Sequence, residues 1–133
     1  MEELIEFLTR YRTGFLSTVD ADGYPHVRVV GLQCVRDGLL YYATAKNKPM
    51  FQQMHDCSHV ELAVSKPDYS LNIRVAGEAT LCDEMDLKKE IIQNSPSLTK
   101  LYGSAENPVF TLFCIKPQKA RYWSFTEDRT VAF

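Results

Sequence analysis

No run of apolar residues in this chain approaches the roughly 20 that a membrane-crossing helix requires, so no membrane role is expected. Cysteine is sparse and scattered. Cys34, Cys57, Cys82 and Cys114 form no CxxC pair, and His26, His55 and His59 stand at no finger-like spacing from them, which argues against a zinc or other metal site. The four cysteines read as reduced, packed thiols. Positive charge is not in surplus either: 15 Lys and Arg stand against 17 Asp and Glu, a formal net charge of -2. That balance gives no global attraction for nucleic acid or an acidic membrane surface, so any basic site must be local. The chain has no Gly-rich phosphate loop of GxGxxG or Walker type, and no Ser, His and Asp at a spacing diagnostic of a hydrolase. Its opening Met1-Glu2-Glu3 is acidic where a signal peptide would be basic, which points to the cytoplasm.

What remains is an ordinary soluble composition, with 45% apolar and 24% charged residues in 133, enough for a real core. No Pro-, Gly- or Ser-rich linker divides it and no repeat is visible, so residues 1–133 read as one domain. Leu4, Phe7, Leu8 and Tyr11 recur at helical spacing, with Glu6 and Arg10 placed to pair, and Gly14 reads as the stop. Residues 14–19 and 24–31 then form a hairpin about Asp22-Gly23. A second turn, Arg36-Asp37-Gly38, leads into a strand over 39–44, and Pro49 opens a helix carrying Met50, Phe51 and Met54 inward. Strands follow over 59–65 and 71–81. Asp83 reads as the cap of a helix running to Asn94, with Glu84 and Lys88 paired on its outside, and a short helical piece covers 97–103. Residues 109–115 and 119–125 read as two strands joined by a turn at Lys116-Pro117-Gln118. Six or seven antiparallel strands with helices in the connections predict a mainly β fold, a small closed or split barrel with flanking helices.

The chemistry concentrates between Tyr24 and Lys48. Arg28, Thr44, Lys46 and Lys48 gather beside a helix start, where free N–H groups and cationic donors suit one phosphate group. On the strand, a period of two sets Tyr24, His26, Arg28 and Val30 on one face and Val27 and Val29 on the other; the valines fit the core, leaving Arg28 outside. His26 reads as a hydrogen-bonded strand histidine rather than a general base, and Asp83, Glu84 and Asp86 as helix-start acids rather than a catalytic pair. No side chain is assigned a catalytic role.

These residues, in order, resemble a family. Gly14-Phe15-Leu16-Ser17-Thr18, Asp22 through Val30, Leu40-Tyr41-Tyr42-Ala43-Thr44 and Asn47-Lys48-Pro49 are similar to the pyridoxamine 5′-phosphate oxidase-like, FMN-binding split barrels. Asn72 through Ala79 and Ala120 through Phe125 look like that family's long and last strands. The resemblance implies a six-stranded, Greek-key-like split barrel, a homodimer, and FMN in clefts between subunits. It implies phosphate contacts from Arg28 and Lys48, completed by Thr44, Lys46 and Asn47. Backbone groups of Val29 and Val30 would run along the flavin ring, with Tyr42 and Asn72 near it. Trp123 is a further candidate contact, with a place in the core or at an interface as the other reading. The resemblance also breaks in places. Pyridoxamine 5′-phosphate oxidases proper carry lysine where Gln33 stands and arginine where Asn47 stands. Residues 88–102 hold no arginine for a substrate phosphate, and the chain ends without the family's Arg-x-His. Oxidation of a vitamin B6 phosphate is therefore not expected; an FMN-dependent oxidoreductase acting on a small organic molecule is. A non-catalytic flavin-binding or storage module is the alternative, as is a split barrel that takes haem or a deazaflavin.

Overall fold

Asp20 builds the first turn of the sheet. In this computed structural model, which describes residues 1–133, its carboxylate accepts the N–H groups of Asp22 at 2.9 Å and Tyr24 at 3.0 Å. The turn joins β1 (Thr13–Val19) to β2 (Pro25–Gly31), with Phe15 opposite Val29 and Leu16 opposite Arg28. Before it, α1 (Glu2–Arg10) ends at Tyr11; Gly14 is not its stop but lies inside β1. The expected Glu6–Arg10 pair does not form, and it is Glu3 that reaches Arg129, near the other end of the chain.

Two strands go beyond those read from the sequence. β3 (Cys34–Arg36) turns into β4 (Leu39–Ala45) through Asp37 and Gly38, both at positive φ (52° and 76°), the pairing of a two-residue hairpin turn. β8 (Asp128–Ala132) lies along the second half of β7 (Phe110–Ser124). Between them come α2 (Pro49–Asp56), β5 (His59–Ser65), β6 (Leu71–Cys82), α3 (Met85–Gln93) and α4 (Pro96–Tyr102). The antiparallel order is β2-β1-β5-β6-β7-β4-β3, with β8 added on β7, giving a curled half-barrel with flanking helices.

β7 is a correction. The expected turn at Lys116-Pro117-Gln118 is a bulge inside one 15-residue strand. Against β6, Ala76 pairs with Lys119 but Gly77 pairs with Pro117, leaving Gln118 as the extra residue. Pro117 has no N–H to give a ladder, and a bulge is where a strand tolerates it. Gly77 is required opposite: a Cβ there would stand 2.4 Å from the Lys116 carbonyl oxygen. The bend lets the first half of β7 pair with β4 and the second half with β8.

The main core fills the concave side of the sheet with Leu16, Leu62, Ile73, Val75, Phe113 and Ile115, closed at one end by Leu4 and Leu8 of α1. A second cluster lies on the other side, where Leu87, Ile91 and Ile92 of α3 pack on Phe110 and Leu112. Asp83 does not cap α3; Glu84 is the N-cap and makes no side-chain cap bond. Instead Asp83 takes two lysines, Lys46 at 2.9 Å and Lys88 at 2.8 Å. Lys88 is buried, its Nζ 5.4 Å from the Phe110 ring centre, and not paired outside with Glu84. No helix is long and apolar enough to cross a membrane.

Candidate functional site

β2 is an edge strand, so alternate backbone groups along its free side have no partner strand. That edge, the start of α2 and one face of α4 bound a cleft of about 580 Å³. Arg28 and Lys48 both line it, and not one carboxylate does. Pro49 occupies the first turn of α2 and Lys48 its N-cap, as the Lys-Pro spacing predicts.

The face assignment on β2 is reversed. Val27 and Val29 are 68% and 59% exposed, while Arg28 and Val30 turn to the concave side, where Val30 is buried. Alternation separates two faces but does not say which is inward; pairing with β1 decides that, setting Arg28 opposite the buried Leu16. Arg28 is consequently held rather than free. Its Nη1 donates to Thr18 Oγ1 at 2.7 Å and to the carbonyls of Leu16 (3.2 Å) and His26 (3.3 Å), and its Nη2 donates to Gln53 Oε1 at 3.0 Å. Every one of these acceptors is neutral. Neither Arg28 nor Lys48 enters any of the ion pairs in the molecule. Partial burial works against the guanidinium charge, lowering its pKa from the ordinary value. An arginine fixed in place, partly desolvated and given no counter-charge is prepared for an anion from outside.

Gln53 and Thr18 were not singled out by sequence reasoning. Both are buried, and the Thr18 hydroxyl donates to Gln53 Oε1 at 2.6 Å, so one amide oxygen serves Thr18 and Arg28 together. The signal was present. On α2 the buried face is Met50, Gln53 and Met54, not Met50, Phe51 and Met54, and a polar residue at i+3 on an apolar face needs a partner.

The other expected residues divide. Arg28, Val29, Val30 and Lys48 meet in the cleft. Thr44 is the penultimate residue of β4, and Lys46 and Asn47 lie in the connection from β4 to α2. Lys46 is exposed and paired with Asp83, which it shares with Lys88. Asn47 is exposed at the turn. Thr44 is 1% exposed, and its Oγ1 is a buried side-chain oxygen with no hydrogen-bond partner. Tyr42 is not at the cleft. Its ring stacks on Phe113 in the core, 5.3 Å between centres, and burial pushes its phenol pKa up. Asn72 and Trp123 face each other across β6 and β7, and Asn72 lines a separate hollow with Thr13, Phe15 and Tyr69. His26 Nε2 lies 2.8 Å from Asp20, whose carboxyl this contact holds below the usual range. No cluster of three or more His, Cys, Asp or Glu side chains is arranged to hold a metal ion.

A phosphorylated cofactor such as FMN fits this donor set. The two cations lack a counter-charge and the helix start brings amide donors; the unpartnered Thr44 hydroxyl, two residues before Lys46-Asn47-Lys48, is buried and does not line the cleft.

Known proteins agree in shape. A family model described as Pyridoxamine 5'-phosphate oxidase matches residues 1–124. The solved structure of a NimC/NimA family protein from Clostridium acetobutylicum is 26% identical, covering 100% of this chain and 93% of its own, with a TM-score of 0.86. A pyridoxamine 5'-phosphate oxidase-related, FMN-binding protein from Nostoc punctiforme is 16% identical over 99% of this chain and 95% of its own, at a TM-score of 0.78. A haem-binding protein from Mycobacterium smegmatis is also 16% identical, over 98% of this chain and 57% of its own, at 0.79. At that identity the last two share the fold alone. No curated protein matches the sequence.

Proposed function

The chain belongs to the pyridoxamine 5'-phosphate oxidase family, and from that premise we propose that it is an FMN-binding oxidoreductase acting on a small organic molecule. One observation carries this reading. Arg28 is positioned by four neutral acceptors, shares a cleft with Lys48, and finds no carboxylate anywhere in the protein. The phosphate of FMN would be the missing counter-charge. Arg28 and Lys48 would hold it, Gln53 and Thr18 would keep the guanidinium aimed, and the free edge of β2 at Val29 and Val30 would offer main-chain groups to the polar edge of the ring. When bound, FMN supplies the hydride or electron chemistry; the protein binds, orients and excludes water.

A homodimer is part of the proposal. Phe15, Val27 and Val29 form an exposed apolar strip on the outer face of β1 and β2, adjoining the cleft. Asn72 and Trp123 belong to another side of the same chain, so they serve the flavin only if a second copy brings them to it. Four unpaired cysteines fit a reducing compartment, and the cytoplasm is the proposed location.

The test is a visible absorption spectrum of the purified protein before and after addition of FMN, with riboflavin as the unphosphorylated control. Stoichiometric uptake of FMN, and much weaker uptake of riboflavin, is the expected result. A colourless protein that refuses FMN, or one that instead yields a Soret band on haem titration, ends this reading.

A further inference from the structure

We infer that the molecule bound beside the cofactor is a neutral, planar aromatic compound held on an apolar wall formed by α4. The inference rests on the reading of Arg28 and Lys48 as a phosphate site. The cleft is divided in character. Its cations sit on β2 and at the start of α2, and are taken up by the proposed phosphate. The facing wall is Leu98, Leu101 and Tyr102, three residues at i, i+3 and i+4 that share one face of α4. The one charged residue of that helix, Lys100, does not line the cleft.

A lone exposed leucine says little. Leu101 is different because it is 66% exposed while continuing a face whose other members are anchored below. Leu98 and Tyr102 pack into the second apolar cluster, and the Tyr102 ring stacks on Phe110 at 5.0 Å. The wall is also fixed at both ends. Ser95 accepts the Leu98 N–H at 3.3 Å, Thr99 Oγ1 donates to the Ile92 carbonyl at 2.8 Å, and Asn107 Nδ2 donates to the Tyr102 carbonyl at 2.9 Å. A preformed apolar surface opposite a spent pair of cations offers no partner to a second anion. With no carboxylate in the cleft, it offers none to an amine either. His26, Gln33 and Tyr102 are the remaining polar residues of the lining available to orient a ring.

The experiment uses the full-length, FMN-loaded protein and three probes with one ring and different charge: naphthalenemethanol, naphthoate and naphthylmethylamine. Flavin uptake is measured first, and binding of each probe is then read from the perturbed flavin spectrum. The neutral alcohol should bind at least about tenfold tighter than either ion. Leu101→Ala should weaken the alcohol by about tenfold and leave FMN affinity unchanged. Leu101→Arg should turn the preference toward naphthoate. Leu101 is exposed, so neither variant threatens the core. A protein that takes no FMN overturns the cofactor reading and this inference with it. One that takes FMN yet binds the ions as tightly, or binds none of the probes, overturns this inference alone. So does a Leu101→Ala protein that loses FMN or dissociates from a dimer instead of losing the alcohol, since the wall would then serve the flavin or a second copy.

Discussion

Lys46 and Lys48 are two residues apart, and their electrostatic surroundings are opposite. Lys48 joins Arg28 in a cleft without a single carboxylate. Lys46 shares Asp83 with the buried Lys88, so two cations and one anion close on each other. The first arrangement leaves both cations open to an anion from outside; the second gives each lysine a carboxylate partner and ties the β4–α2 turn to the start of α3. The contrast separates a binding cation from a structural one by what faces it, a property that spacing along the chain does not carry.

The largest test of the contrast removes both binding cations. Charge-assisted hydrogen bonds are worth about 1.5–3 kcal/mol each, so Arg28→Ala with Lys48→Ala should weaken FMN by roughly a hundredfold or more. Riboflavin, which has no phosphate, should be nearly unaffected in equilibrium dialysis. Equal losses for the two ligands would mean that the double variant had damaged the fold rather than the phosphate site. A subtler change gives the cleft what the other cluster already has. Gln53→Glu places a carboxylate where a neutral oxygen now accepts from Arg28 and Thr18. The new ion pair should hold Arg28 at least as firmly, yet compete with phosphate and weaken FMN by about tenfold, again sparing riboflavin. If FMN binding survives in Gln53→Glu, the missing counter-charge is not what makes this site.

Much of the frame was legible from local chemistry. Asp20-Ala21-Asp22-Gly23 announced its hairpin, Lys48-Pro49 its helix start, and the alternation of residues 71–75 a strand whose Ile73 and Val75 are indeed buried. The failures share a cause in pairing between distant segments. Val27 and Val29 looked like core because valine usually is; register against β1 turned them outward and Arg28 inward. Lys116-Pro117-Gln118 looked like a turn because proline breaks ladders, but β6 runs past it and absorbs the break as a bulge. β3 and β8 have three and five residues, and their partners β4 and β7 define them as strands more than their own composition does. At the candidate site, Arg28 and Lys48 stand out by residue type, whereas Gln53 does not, because its part there lies wholly in what it accepts from.

The smallest effects belong to the cluster around Asp83, and their smallness is the point. Lys46→Ala should change FMN affinity by less than about threefold, since Asp83 already answers its charge and any pull on a phosphate is screened. Asp83 itself sets a pH dependence of known sign. Hydrogen bonds from Lys88 first, and Lys46 second, hold its carboxyl below the ordinary aspartate range. Its folded pKa is therefore lower than its unfolded one, and the stabilisation is fully present above the unfolded value. It is lost as pH falls below the ordinary aspartate range and through the depressed value. Urea midpoints of the native protein and of Asp83→Asn should accordingly differ by a constant amount near neutrality and converge over that acid window. The FMN affinity of Asp83→Asn should stay close to native throughout the neutral range. Lost flavin binding in that variant would show that the two clusters are coupled, and that Lys46 is held ready for the phosphate rather than kept from it.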